Sequence, residues 1–153
     1  MLSATKPQQK DNKRTTKVWT WNVQKTSFTA NIRGRLKRKL ECARINKVDI
    51  LFLSESTANN NGIFWTGSEG KRTIIVHSRK TAIALIGIWT DLWLESGIQN
   101  WRTDRTTAVL VKNFRLMSVY QPLWHYGIEA INEYRHAIEE EIAMRRHDEW
   151  LII

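Results

Sequence analysis

The stretch D-I-L-F-L-S-E, Asp49 to Glu55, sets four consecutive apolar residues between an aspartate and a serine-glutamate pair. So short and continuous a run reads as a strand covered on both faces. Upstream, K-V-W-T-W-N-V-Q, Lys17 to Gln24, is rich in Trp, Thr and Val over Val18 to Val23 and reads as a first strand. Between the two, Ile32, Leu36, Leu40 and Ala43 recur at helical spacing, while Arg33, Arg35, Lys37, Arg38 and Lys39 fill the other positions. Asn31 is the expected N-cap of this basic amphipathic helix, and Asn46 marks its expected end. Strand, helix and strand together make a β-α-β unit.

Beyond Glu55 the loop Asn59-Asn60-Asn61-Gly62 leads into short strand-like runs at Ile63 to Thr66, Thr73 to His77, Ile83 to Trp89, Thr106 to Val111 and Arg115 to Tyr120. Gly67, Gly70, Gly97 and Asn113 punctuate them. A second amphipathic helix is expected over Gly127 to Arg146, its apolar stripe formed by Ile128, Ile131, Tyr134, Ile138 and Ile142. The last residues, Trp150 to Ile153, repeat a strand pattern that ends with no polar finish, as if interrupted. The class implied is α/β, mostly sheet with two covering helices, in one domain over residues 17–153. Residues 1–16, polar and basic with Pro7, are expected to form a disordered tail.

Charge is distributed unevenly. Of a net +9, residues 1–47 hold 13 Lys or Arg against Asp11 and Glu41, a local +11, and the remainder holds 11 against 13, or −2. Such an excess at one end suits a polyanionic partner, with a solvated tail and helix face as the alternative. The longest apolar run, Ala82 to Trp89, is eight residues, far short of the roughly 20 needed to span a bilayer. No membrane partner is expected, and no signal-peptide pattern opens the chain. The single cysteine, Cys42, excludes an intramolecular disulfide and a thiol-based zinc site, and points to a reducing compartment, nucleus or cytoplasm.

Asn22 ends the first strand and Glu55 ends the second. If the strands are parallel neighbours, the two side chains emerge at one sheet edge, where open α/β sheets place ligands. An amide beside a carboxylate suits a hard cation such as Mg²⁺. A turn-forming asparagine beside a solvated glutamate is the other reading of the same spacing.

Four segments in order, W-N-V at Trp21 to Val23, D-I-L-F-L-S-E at Asp49 to Glu55, D-R-T at Asp104 to Thr106 and S-V-Y-Q-P at Ser118 to Pro122, resemble the endonuclease/exonuclease/phosphatase superfamily. With A-L-I-G at Ala84 to Gly87, they look most like the endonuclease domain of non-LTR retrotransposon endonuclease-reverse transcriptases, over roughly Lys17 to Ile153. The resemblance implies a hydrolase of phosphodiesters in nucleic acid, DNA foremost, assisted by one weakly held divalent ion, Mg²⁺ or Mn²⁺. It implies that Asn22 orients phosphate and nucleophile, that Glu55 binds the metal, that Tyr120 lies by the scissile phosphate, and that Arg105 lies at the substrate-binding edge. The G-D-F-N and serine-aspartate-histidine motifs of the family do not occur in this sequence. On that ground the chain is expected to be the N-terminal portion of a four-layer α/β/β/α sandwich, inactive alone, with an uncovered apolar inner sheet face that promotes self-association.

None of His77, His125, His136 and His147 has the sequence context of a base dyad, so none is assigned as the base. Trp19, Trp21, Trp89 and Trp93 are expected in the core. Trp124 is read first as a packing residue, with base stacking as the alternative. A non-catalytic basic nucleic-acid-binding module is the competing functional class.

Overall fold

The computed structural model describes residues 15–24, 35–66 and 73–153. Most of the expected tail, with Asn31, Ile32 and Arg33, lies outside the described residues. The chain runs through β1 (Val18–Asn22), α1 (Arg35–Ile45), β2 (Ile50–Ser54), β3 (Gly62–Thr66), β4 (Thr73–His77), β5 (Thr81–Ile86), α2 (Ile88–Ser96), β6 (Ile98–Asn100), β7 (Thr106–Val111), β8 (Phe114–Val119), a 3₁₀ turn (Trp124–Tyr126), α3 (Ile128–Met144) and β9 (Trp150–Ile152). The class is α/β and mostly sheet, as the sequence indicates.

Two sheets form, one ordered β1-β2-β5-β4-β3 and the other β6-β7-β8-β9. β1 and β2 are parallel, as are β8 and β9; the remaining pairs are antiparallel. The apolar run of β2 is explained by what covers it. Leu51 and Leu53 point into one core with Ile75, Ala82 and Ala84, closed by Leu36, Leu40 and Ala43 of α1. Ile50 and Phe52 point into a second core with Ile74, Val76, Ile83 and Leu85, closed by Val109, Val111 and Leu116 of the other sheet. Successive strand residues face opposite ways, so only a strand inside two cores can be apolar at every position. Truncating Leu53 to alanine here costs ~2–5 kcal/mol.

The second core corrects one expectation. The inner face of the first sheet is not left bare: the second sheet packs on it, and α3 covers the far side through Ala137 against Ala108 and Met117. The layers therefore run helix, sheet, sheet, helix, and an uncovered inner face no longer supports self-association.

Two local expectations also change. The run Ile83 to Trp89 is not one strand; β5 ends at Ile86, Gly87 turns at φ +63°, and α2 follows. Trp89 and Trp93, four residues apart, are the buried face of that helix, with Trp89 edge-on to Phe114 at 4.9 Å. In α3 the expected stripe docks only in part: Ile138 packs against Ala108 and Met117 and Ile131 and Tyr134 are half-buried, but Ile128 and Ile142 are exposed while Ala137 and Glu141 are buried. Glu141 is drawn inward by Arg115 (2.8 Å) and Arg102 (3.0 Å), and Arg115 also holds Glu149 (3.1 Å). An ionic latch outranks the apolar period because Arg115 needs buried acceptors. Helix α1 ends as expected at the Asn46 position, where Asn46 Nδ2 caps the Cys42 carbonyl (2.8 Å) and Lys47 turns at φ +57°.

Candidate functional site

The parallel pairing of β1 with β2 sets Asn22 opposite Ser54, and the Val23 N–H donates to the Ser54 carbonyl at 2.9 Å. Asn22 and Glu55 therefore leave the sheet at the same edge, on adjacent strands. The antiparallel partner β5 starts there too, with Thr81 opposite Ser54.

The second sheet meets this edge. The Ser118 hydroxyl on β8 donates to the Leu53 carbonyl at 3.0 Å. Two residues further on, the Tyr120 N–H donates to the Arg105 carbonyl at 2.9 Å, next to the Thr106–Val119 pair. Tyr120 and Arg105 thus sit at the end of the second sheet that faces the end of β2. Arg105 is braced by aromatic faces, its Cζ 5.3 Å from the Tyr120 ring centroid and 4.7 Å from that of Tyr126.

A buried hydroxyl hub ties the two sheet ends together. Ser78, Thr81 and Thr107 are fully buried; Thr81 and Thr107 hydroxyls lie 2.9 Å apart, as do those of Ser78 and Thr81. The Ser78 N–H donates to Thr107 Oγ1 (3.0 Å), and the Ser78 hydroxyl and Lys80 N–H both donate to the Asp104 carbonyl (3.0 and 2.9 Å). Such a satisfied polar network fixes geometry at the mouth of the site. Sequence reading missed it; the signal was the density of Ser and Thr at three strand ends, 78, 81 and 106–107.

Glu55 is held at φ +58°, a left-handed conformation that costs a non-glycine residue roughly 1–3 kcal/mol and that clusters at functional sites. The Ser56 N–H, bonded to the Lys80 carbonyl at 3.0 Å, pins the chain just after it. The Ser56 hydroxyl is buried without a hydrogen-bond partner among the described residues. Asn22 is exposed, and its Oδ1 accepts the Gln24 N–H at 2.8 Å, so the turn-forming reading of this residue is realised. Its amide donors are what remain for a ligand.

Glu55 is the carboxylate at the parallel strand ends, and among the described residues no three His, Cys, Asp or Glu side chains group to hold a metal. A fully protein-built cage does not fit. A hard cation that takes one carboxylate and completes its shell with substrate oxygens and water does fit.

His77 ends β4 at the same edge of the sheet but two strands from β2, buried, with burial lowering its imidazole below the ordinary range against the opposing bond to the Ser78 carbonyl. His125 and His147 are exposed. His136 does meet a carboxylate, Glu140 at 2.8 Å, in an exposed pair one turn apart on α3. Trp89 and Trp93 are buried and Trp19 and Trp21 partly buried against the α1 core, whereas Trp124 is 84 % exposed and lies outside the core.

A groove of about 740 Å³ runs beside Asn22, lined by Trp19, Trp21, Gln24, Arg38 and Lys39 among others, with Lys39 Nζ 3.8 Å from the Trp21 ring centroid. No helix among the described residues is long and apolar enough to cross a membrane. No family model matches this chain, and no curated protein is significantly similar to it.

Proposed function

We propose that this chain is a nucleic-acid phosphodiesterase domain of the endonuclease/exonuclease/phosphatase type, with Asn22, Glu55, Tyr120 and Arg105 around one phosphate. The observation that carries the reading is the Asn22–Ser54 register, which sets an amide and a strained glutamate side by side at the parallel strand ends. The facing ends of β7 and β8 supply a cation and a phenol.

Each residue then has a chemical part. Arg105, in contact with two tyrosine rings, neutralises non-bridging phosphate oxygens. Asn22 donates its amide hydrogens to the same group, and Tyr120 its hydroxyl, both suited to charge that builds in the transition state. Glu55 would hold a divalent cation, Mg²⁺ or Mn²⁺, which would supply Lewis-acid neutralisation of the phosphate.

The basic groove favours a second reading, a non-catalytic binder that tracks phosphate through Arg38 and Lys39. Divalent-ion dependence separates the two. Mg²⁺ should raise affinity for a DNA oligonucleotide in the wild type but not in Glu55→Ala, and a fusion supplying G-D-F-N and serine-aspartate-histidine segments should nick plasmid DNA. Affinity indifferent to Mg²⁺ in both proteins would leave the binding module as the account.

A further inference from the structure

We propose that the turn Trp124–Tyr126 is a stacking platform for unpaired bases, so that the nucleic acid taken by the strand-end site carries single-stranded nucleotides beside the bound phosphate. The proposal deepens the phosphodiesterase reading and rests on it for the position of the phosphate.

Five side chains form a continuous ladder from open solvent to the candidate site. Trp124 meets His125 edge to face at 6.1 Å, and His125 stacks on Tyr126 at 4.6 Å with 28° between planes. Arg105 lies over the rings of both Tyr126 and Tyr120. The outer end of the ladder is bare, with Trp124 84 % and Tyr126 56 % exposed. Large aromatic faces left this open at the rim of a site are uncommon unless something covers them.

The turn is also held in place before any ligand arrives. The Tyr126 N–H donates to the Leu123 carbonyl at 3.0 Å and the Gly127 N–H to that of Trp124 at 3.2 Å, while Gly127 at φ +97° starts α3. A base stacking on a fixed ring forfeits less entropy than one that must order a loop. Charge settles the class of occupant. A guanidinium lodged among the rings matches the phosphate that accompanies every base, and aromatic faces accept any base without sequence choice. Duplex bases are already stacked on one another and have no face to offer.

The test is binding without cleavage, in EDTA, by fluorescence anisotropy with labelled decathymidylate and with a duplex of equal length. Trp124→Ala should weaken single-strand binding at least about tenfold, leave duplex binding within about twofold, and keep the salt dependence of the wild type, because a stacking contact and not a phosphate contact is lost. Trp124→Phe should restore most of the affinity. Unchanged single-strand binding in Trp124→Ala, or equal losses for both ligands, would overturn the proposal. Because no metal is present, these outcomes are independent of whether Glu55 supports Mg²⁺-linked binding, so either reading can fail without the other.

Discussion

The Ser118 hydroxyl donates to the Leu53 carbonyl at 3.0 Å, a contact that bridges two sheets 65 residues apart in the chain and fastens the end carrying Tyr120 to the end carrying Glu55. Replacing Ser118 by alanine removes the donor and costs about 0.5–1.5 kcal/mol. Tm should fall by a few degrees, and oligonucleotide affinity should fall further than that loss of stability explains. Thermal unfolding together with anisotropy titration separates the two effects.

The positive φ of Glu55 makes a second prediction, with opposite signs for stability and binding. Glu55→Gly relieves a conformation that glycine adopts freely, so Tm should hold or rise by an amount worth up to about 1 kcal/mol. The Mg²⁺-dependent part of oligonucleotide binding should vanish in the same variant. A marked fall in Tm would show that the glutamate is there for structure.

Ion pairs in this protein should differ sharply in worth. Glu141 is almost fully buried between Arg115 and Arg102, whereas Arg79 and Asp104 pair at 3.5 Å in the open. Glu141→Ala leaves the buried Arg115 guanidinium with Glu149 as its one remaining carboxylate and should destabilise by about 2–4 kcal/mol. Asp104→Ala should change stability by less than about 1 kcal/mol. Denaturant titration of the two variants checks the ratio.

Acid should loosen the fold in two stages. Burial holds the His77 imidazole below its ordinary 6.5, so the unfolded chain takes up a proton first and stability falls as pH drops below about that value. The Arg146 backbone N–H, with help from the Arg115 guanidinium, holds the Glu149 carboxyl below its ordinary 4.5 against the effect of burial. Its contribution is complete above that pH and is lost as pH falls through the lower folded value. His77→Asn should flatten the first stage and Glu149→Gln the second, read from Tm against pH.

The central strands were legible in the sequence because their burial leaves a direct mark: a strand inside two cores is apolar throughout, and Asp49 to Glu55 says so. The Asn22–Glu55 adjacency was legible for the same reason, since a basic crossover helix between two such strands implies parallel neighbours. Packing between the sheets was not, because Val109, Val111 and Leu116 look alike whether they face a sheet or a void. Helix α2 was hidden by Gly87, which interrupts an apolar run without announcing a change of period from 2 to 3.6. In α3 the isoleucine spacing located the docking face only in part: Ile138 packs on it, but Arg115, on a strand some 26 residues before Glu141, turns that face toward Glu141 and leaves Ile128 and Ile142 in solvent. Trp124 misled in the opposite direction, an aromatic residue by composition that the fold leaves in solvent.

The most direct measurement is the amide spectrum of isotope-labelled protein with Mn²⁺ added in the presence of a single-stranded oligonucleotide. Paramagnetic broadening should concentrate on Val23, Glu55, Ser56 and Tyr120, the amides at the facing strand ends, and should disappear in Glu55→Ala. Broadening centred instead on the acidic face of α3 around Glu140, or persisting unchanged in Glu55→Ala, would contradict a phosphodiester site built on Asn22 and Glu55.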